Sequence, residues 1–221
     1  MFVKICGITS EEDGLLAVAM DADAVGFVFA PSTRQIAPVV ARDIIKRLPP
    51  DILPIGVFRD EAPERVVSIV GSTGLRGAQL HGRETAEATR YVAERVPLVI
   101  KAFPATSPEL ARAGDYGAGV VLVEGETPGS GQTFDWSLVG AVPPGLKVLL
   151  AGGLRPENVA AAIAAARPWG VDVSTGVERD GGPPGRKDPR KVRLFVANAR
   201  AAAPEWAPED DDAPYDWTED T

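Results

Sequence analysis

Phe2-Val3-Lys4-Ile5-Cys6, then Glu11–Met20, then Ala24-Val25-Gly26-Phe27-Val28 is the stretch on which the fold turns. Its two ends are short apolar runs bounded by Gly, Pro or polar residues, and the segment between them carries apolar residues at three- and four-residue spacing. That reads as strand, helix, strand, and the pattern continues along the chain. Strands are predicted at Leu53–Val57, Gly77–Leu80, Leu98–Lys101, Val120–Val123, Lys147–Leu150 and Val171–Val173. Helices are predicted at Pro38–Leu48, Ala62–Val70, Glu84–Arg95, Pro156–Ala166 and Asp188–Ala202, with shorter connections after the fifth and sixth strands. Pro38 and Pro156 stand where the first turn of a helix tolerates proline. Strands that alternate with helices run parallel, and eight of them close into a (β/α)8 barrel with no exposed edge. A doubly wound open sheet is the structural alternative.

The chain has 221 residues, a length that one α/β barrel commonly fills. With 45% hydrophobic and 24% charged residues it has the composition of a globular domain. No apolar run is long enough to span a membrane, and the amino terminus lacks the pattern of a secretory leader, so a cytoplasmic location is expected. One cysteine excludes an internal disulfide, and one histidine leaves too few ligands for a Cys/His zinc site. The net charge of −8 is local: eight acidic residues lie in 205–221, leaving 23 acids against 23 bases upstream. A neutral body gives no support to a nucleic-acid surface. The expected organisation is a barrel over 1–203 and an acidic tail over 204–221. Pro204, Pro208 and Pro214 among acids predict a flexible tail without a core, and Trp206, Tyr215 and Trp217 are the residues by which part of it would dock. Monomer and homodimer are both left open.

In a barrel, inward residues recur at every second position and functional groups gather at the carboxyl ends of the strands. Parity then pairs Lys4 with Cys6, Gln79 with His81, Val99 with Lys101, Leu122 with Glu124, and Asp172 with Ser174, five polar strand ends converging on one mouth. Cys6 ranks first. A lone cysteine is usually an inert small hydrophobe, but here it ends a strand, precedes Gly7, and has Lys4 one inward layer below, where a cation would favour the thiolate. Phosphate binding is suggested by Ala151-Gly152-Gly153-Leu154 and Ser174-Thr175-Gly176-Val177 after the seventh and eighth strands, where barrels commonly bind phosphate through backbone N–H groups. A third glycine loop, Pro128-Gly129-Ser130-Gly131, follows the sixth strand. Arg34 is placed to clamp a carboxylate or to stand solvated, His81 to contact a ligand or to serve as a structural hydrogen-bonding residue, and Lys101 to tune the site as a barrel-interior charge.

Six blocks occur in order: Lys4-Ile5-Cys6-Gly7-Ile8-Thr9, Gly26-Phe27-Val28-Phe29, Gln79-Leu80-His81-Gly82, Gly131-Gln132-Thr133-Phe134-Asp135-Trp136, Gly152-Gly153-Leu154 and Val171-Asp172-Val173-Ser174-Thr175-Gly176-Val177-Glu178. Through them the chain resembles phosphoribosylanthranilate isomerase, from about Val3 to Ala202. The resemblance implies a (β/α)8 barrel acting in tryptophan biosynthesis by an Amadori rearrangement of a phosphosugar substrate, without cofactor or metal. It implies Cys6 as general base, Arg34 on the anthranilate carboxylate, Gln79, His81 and Asp172 at the substrate, and Gly152, Gly153, Ser174, Thr175 and Gly176 on the phosphate. At the end of the sixth strand the family's general acid is an aspartate, and the matching residue here is Glu124. That substitution leaves Glu126 as a second candidate acid. It also leaves open a related aminoaldose isomerase, which would use two aspartates, and a non-catalytic phosphosugar-binding homologue.

Overall fold

A computed structural model describes residues 1–126 and 132–203. Both the Pro128-Gly129-Ser130-Gly131 loop and the expectations for the tail fall outside these residues. Eight parallel strands close into a barrel in sequence order: β1 (Phe2–Cys6), β2 (Ala24–Val28), β3 (Leu53–Phe58), β4 (Gly77–Leu80), β5 (Leu98–Pro104), β6 (Val120–Glu124), β7 (Lys147–Leu150) and β8 (Gly170–Val173). β1, β2, β4 and β7 coincide with the predicted spans, and the open sheet is excluded by the β1–β8 pairing that completes the ring.

Helices α1 (Glu11–Ala19), α2 (Pro38–Ile45), α3 (Pro63–Thr73), α4 (Ala86–Ala93), α5 (Val159–Ala166) and α6 (Pro189–Ala201) fill the connections, with 3₁₀ helices at Pro108–Tyr116 and Trp136–Ala141 after β5 and β6. α6 illustrates how local sequence builds them. The Asp188 carboxylate accepts from the N–H groups of Arg190 and Lys191, Pro189 occupies the first turn, and Val192, Phe195, Val196 and Ala199 form one buried stripe. Each large apolar side chain so buried contributes roughly 1.5–3 kcal/mol. Two helices start two or more residues later than predicted. α4 begins after its Thr85 cap because the Glu84 carboxylate is turned back to accept from Gly82 N–H. α5 begins at Val159 because Pro156 lies in the preceding turn, which the Asn158 carboxamide pins by accepting from Arg155 N–H at 2.8 Å and donating to Gly153 O at 3.0 Å.

Apolar layers fill the barrel from Ala24, Ile55, Ile100, Val120, Leu122 and Leu149, and Phe2 stacks on Trp169 at 4.4 Å beneath them. A larger apolar shell lies between barrel and helices. Val99 belongs to that outer shell, which corrects the predicted parity of β5. Adjacent parallel strands put register partners on the same side, and the pairs Gln79↔Ile100 and Leu80↔Lys101 place Ile100 inward and Lys101 outward. Lys101 is therefore not a barrel-interior charge. Its Nζ donates to Glu84 at 2.9 Å and to Gly82 O at 2.8 Å, tying β5 to the loop that leads into α4.

Candidate active site

At the carboxyl end of the barrel a cavity of about 310 Å³ opens, lined by the nominated residues Cys6, Arg34, Gln79, His81, Glu124, Gly152, Gly153, Asp172, Ser174, Thr175 and Gly176. The closed ring brings together residues that are up to 170 positions apart in sequence (Cys6 to Gly176).

Cys6 ends β1 and is 7% exposed. Below it the fully buried Lys4 donates to Asp172 Oδ1 at 2.9 Å, across the Lys4↔Asp172 register of β1 and β8. Lys4 does pull the thiol down, as expected, but it does not decide the net shift. Burial pushes the Cys6 thiol above its ordinary range, Lys4 opposes that shift, and the Asp172 carboxylate adds to it. Lys4 itself is held above the usual lysine range: desolvation lowers it, and the attraction of Asp172 and Cys6 outweighs that. A buried pair of this kind keeps the cation charged and fixes Asp172, which lines the cavity.

Arg34 reaches the mouth over the end of β1. Gly7, at φ +77°, makes this possible: a Cβ there would lie 2.6 Å from Arg34 Cδ and 2.9 Å from Ser174 Oγ. Arg34 is already engaged, donating from Nε to Glu178 Oε1 at 2.6 Å and from Nη2 to Glu178 Oε2 at 3.0 Å and Thr175 Oγ1 at 2.9 Å. This fork fixes the plane of the guanidinium and leaves its Nη1 edge for a ligand. Behind it the fully buried Lys187 donates to Glu178 Oε1 and to Ser174 O, each at 3.3 Å. Burial tends to raise the Glu178 carboxyl, and the hydrogen bond from Arg34 with the Lys187 charge holds it below the usual range. Lys187 is lowered by its own burial, with Glu178 opposing.

Sequence reasoning assigned no role to Glu178 or Lys187. Glu178 closed a quoted block with no chemistry attached to it, and Lys187 follows the Gly/Pro-rich run Gly181-Gly182-Pro183-Pro184-Gly185, which reads as solvent loop. Arg59, after β3, also lines the cavity and was not nominated.

Gly152 and Gly153 follow β7 in the left-handed region, at φ +83° and +64°. Opposite them Gly176 packs against the β7 loop so closely that a Cβ would occupy the place of Leu154 O. Two loops that end adjacent strands are thus locked backbone to backbone, an arrangement suited to presenting N–H groups to an anion.

Glu124 closes the site from β6. Its backbone is held on one side by the Pro104↔Glu124 register and by Ala105 N–H donating to Glu124 O at 2.8 Å. Its carboxylate meets His81 Nε2 in a short contact, and His81 Nδ1 faces Gln79 Nε2 at 2.7 Å. Glu126 is exposed, accepts from Thr106 Oγ1 at 3.1 Å, and does not line the cavity. Of the two candidate acids, Glu124 is the one the fold brings to the thiol's cavity.

The whole-chain comparisons agree. The family model described as N-(5'phosphoribosyl)anthranilate (PRA) isomerase matches residues 3–198. The chain is 50% identical to an N-(5'-phosphoribosyl)anthranilate isomerase of Desulforudis audaxviator, over 90% of this chain and 98% of that one. The crystal structure of phosphoribosyl anthranilate isomerase from Thermus thermophilus superposes with a TM-score of 0.83 at 41% identity, covering 91% of this chain and 99% of that one. A phosphoribosyl anthranilate isomerase in complex with reduced 1-(o-carboxyphenylamino)-1-deoxyribulose 5-phosphate superposes with a TM-score of 0.78 at 43% identity, again over 91% of this chain and 99% of that one. Sequence and barrel thus lead to one conclusion: the chain belongs to the N-(5'-phosphoribosyl)anthranilate isomerase family.

Proposed function

We propose that this chain catalyses the Amadori rearrangement of N-(5'-phosphoribosyl)anthranilate to 1-(2-carboxyphenylamino)-1-deoxyribulose 5-phosphate in tryptophan biosynthesis. The observation that carries the reading is a thiol from β1 and a carboxyl from β6 on one cavity that also offers a fixed guanidinium edge and two locked glycine loops. The substrate has the matching parts: a carboxylate at one end, a phosphate at the other, and the reacting sugar between them. Anchoring both ends converts the chemistry into an oriented, effectively unimolecular step.

In this reading Glu124 gives its proton to the furanose ring oxygen as the bond from that oxygen to the anomeric carbon breaks. The electron pair of the broken bond stays on oxygen, and the anilino nitrogen's lone pair forms the C=N bond of a Schiff base. Cys6, as thiolate, then removes the proton from sugar carbon 2, and the enolamine relaxes to the ketone. Asp172 contacts sugar hydroxyls through the oxygen that Lys4 leaves available. Gln79 and His81 stand beside the acid at the substrate. An assay following consumption of phosphoribosylanthranilate by the purified chain tests the whole reading, and absence of turnover would overturn it.

Two predictions isolate the ends. Arg34→Lys loses the two-pronged fit to Glu178 and a planar edge for the carboxylate, so KM should rise about 10- to 100-fold, the scale of one charge-assisted hydrogen bond of about 1.5–3 kcal/mol, with a smaller change in kcat. A KM within twofold of wild type would place the carboxylate elsewhere. At the other end inorganic phosphate should inhibit competitively, and Gly176→Ala, which forces the loop off Leu154 O, should weaken that inhibition and raise KM about tenfold or more. Unchanged phosphate inhibition in Gly176→Ala would put the anion at a different place.

A further inference from the structure

Gln79 is 1% exposed and points into the barrel beneath His81. Its Nε2 faces His81 Nδ1, whereas its Oε1 is buried without a hydrogen-bonding partner among the described residues. Buried polar atoms are almost always paired, so the amide that touches the one histidine of the chain is satisfied on one side only.

A neutral imidazole carries its proton on one nitrogen. With Gln79 Nε2 donating, His81 Nδ1 accepts, the ring proton sits on Nε2, and His81 donates to an ionised Glu124. In that arrangement Glu124 has no proton to deliver. When Glu124 is protonated its O–H donates to His81 Nε2, the ring proton moves to Nδ1, and Nδ1–H requires an acceptor. The group in front of it is the same Gln79 amide, and a half-turn about its terminal torsion replaces Nε2 by Oε1.

We propose that Gln79 is a positioning residue for the general acid, its amide oxygen holding His81 in the Nδ1–H form so that His81 Nε2 receives the proton of a loaded Glu124. The orientation with Nε2 forward belongs to the unloaded pair. During turnover Glu124 gives its proton to the ring oxygen and later regains one, and Gln79 Oε1 faces His81 Nδ1–H whenever the pair is loaded. The inference rests on Glu124 being the acid. The remaining titratable groups on the cavity are Cys6 from β1, Arg34 and Arg59 from the loops after β2 and β3, and Asp172 from β8, and among the described residues none of these is hydrogen-bonded to Gln79 or His81.

The single histidine makes the test clean. With ¹⁵N-histidine, the two ring nitrogens of the full-length wild-type protein should pass, as pH falls, from the Nε2–H pattern to one with a proton on Nδ1. Gln79→Glu, which presents only acceptors, should show Nδ1–H at both ends of that range. Gln79→Met, which presents neither donor nor acceptor, should lose the neutral Nδ1–H form and lower kcat by about tenfold or more, within the 10²–10⁴-fold that a general acid supplies, with KM changed less than about twofold. A rise in KM at constant kcat in Gln79→Met would make Gln79 a substrate contact instead. Identical ¹⁵N patterns in wild type and both variants would also overturn the proposal, and Gln79→Glu alone decides that point if Gln79→Met does not fold. Loss of turnover in Glu124→Gln alongside unchanged histidine patterns would sink the role of Gln79 while sparing Glu124, whereas full turnover in Glu124→Gln would sink the acid itself.

Discussion

Cys6→Ala is expected to lower kcat by about 10²–10⁴-fold, the usual contribution of a general base, and to leave the barrel assembled. The substitution removes one sulfur from the wall of an open cavity and no member of the apolar layers, so the cost to stability is small beside the cost to chemistry. The pH profile carries a second expectation. Burial holds the thiol above its ordinary range, against the pull of Lys4 and with the repulsion of Asp172, and only the thiolate abstracts a proton. The rate should therefore depend on pH through a thiol whose ionisation lies above the ordinary thiol range. Because the chain has one cysteine, thiolate absorbance in the ultraviolet follows the same group directly, and its midpoint should lie above the ordinary thiol range. A Cys6→Ala variant within threefold of wild type would remove Cys6 from the mechanism, and a thiolate midpoint at or below the ordinary thiol range would overturn the effect of burial.

Most of the strands were legible because a parallel strand buried on both faces is written as a continuous apolar run with a polar stop. The same property made the parity of β5 illegible. In Leu98-Val99-Ile100-Lys101-Ala102-Phe103 apolar residues fall on both faces, so composition does not say which face is inward, and only the pairing with β4 decides that Ile100 and Ala102 fill the barrel. On β4 itself the polar residues Gln79 and His81 share one parity, and the reading held. The site residues at strand ends were legible for the same reason: position in the barrel assigns them to the mouth. What local sequence does not carry is the support behind them. Lys187 is fully buried because the loop after β8 folds back on α1, where Lys187 N–H donates to Asp13 Oδ1 at 3.1 Å, and nothing near Lys187 in sequence announces that contact. The expected pull of Lys4 on Cys6 is present, but burial outweighs it and the net shift runs upward. A cation below the thiol was visible, but the carboxylate that neutralises it comes from β8, 168 residues away.

Glu124→Gln should cost as much as the loss of the base, about 10²–10⁴-fold in kcat, since a carboxamide has no proton to give to the ring oxygen. Glu124→Asp asks whether the backbone has adapted to the longer side chain. The resemblance places an aspartate here in the family, so a site that kept the family's geometry would work as well or better with aspartate. The structure favours the opposite outcome. Register with Pro104 and the hydrogen bond from Ala105 fix the backbone on the β5 side, while on the β7 side a Cβ at Gly152 would lie 3.4 Å from Glu124 Cα, so the main chain has little freedom to advance. From that fixed point it is the full length of glutamate that brings the carboxyl to His81 Nε2. Shortening it by one methylene withdraws the acid from both His81 and the ring oxygen, and kcat should fall about tenfold or more with KM little changed, because the substrate's two charged ends are held elsewhere. Turnover of Glu124→Asp equal to wild type would mean that the loop after β6 moves to compensate. Full turnover of Glu124→Gln would transfer the search to Glu126, which would have to swing away from Thr106 to reach the cavity.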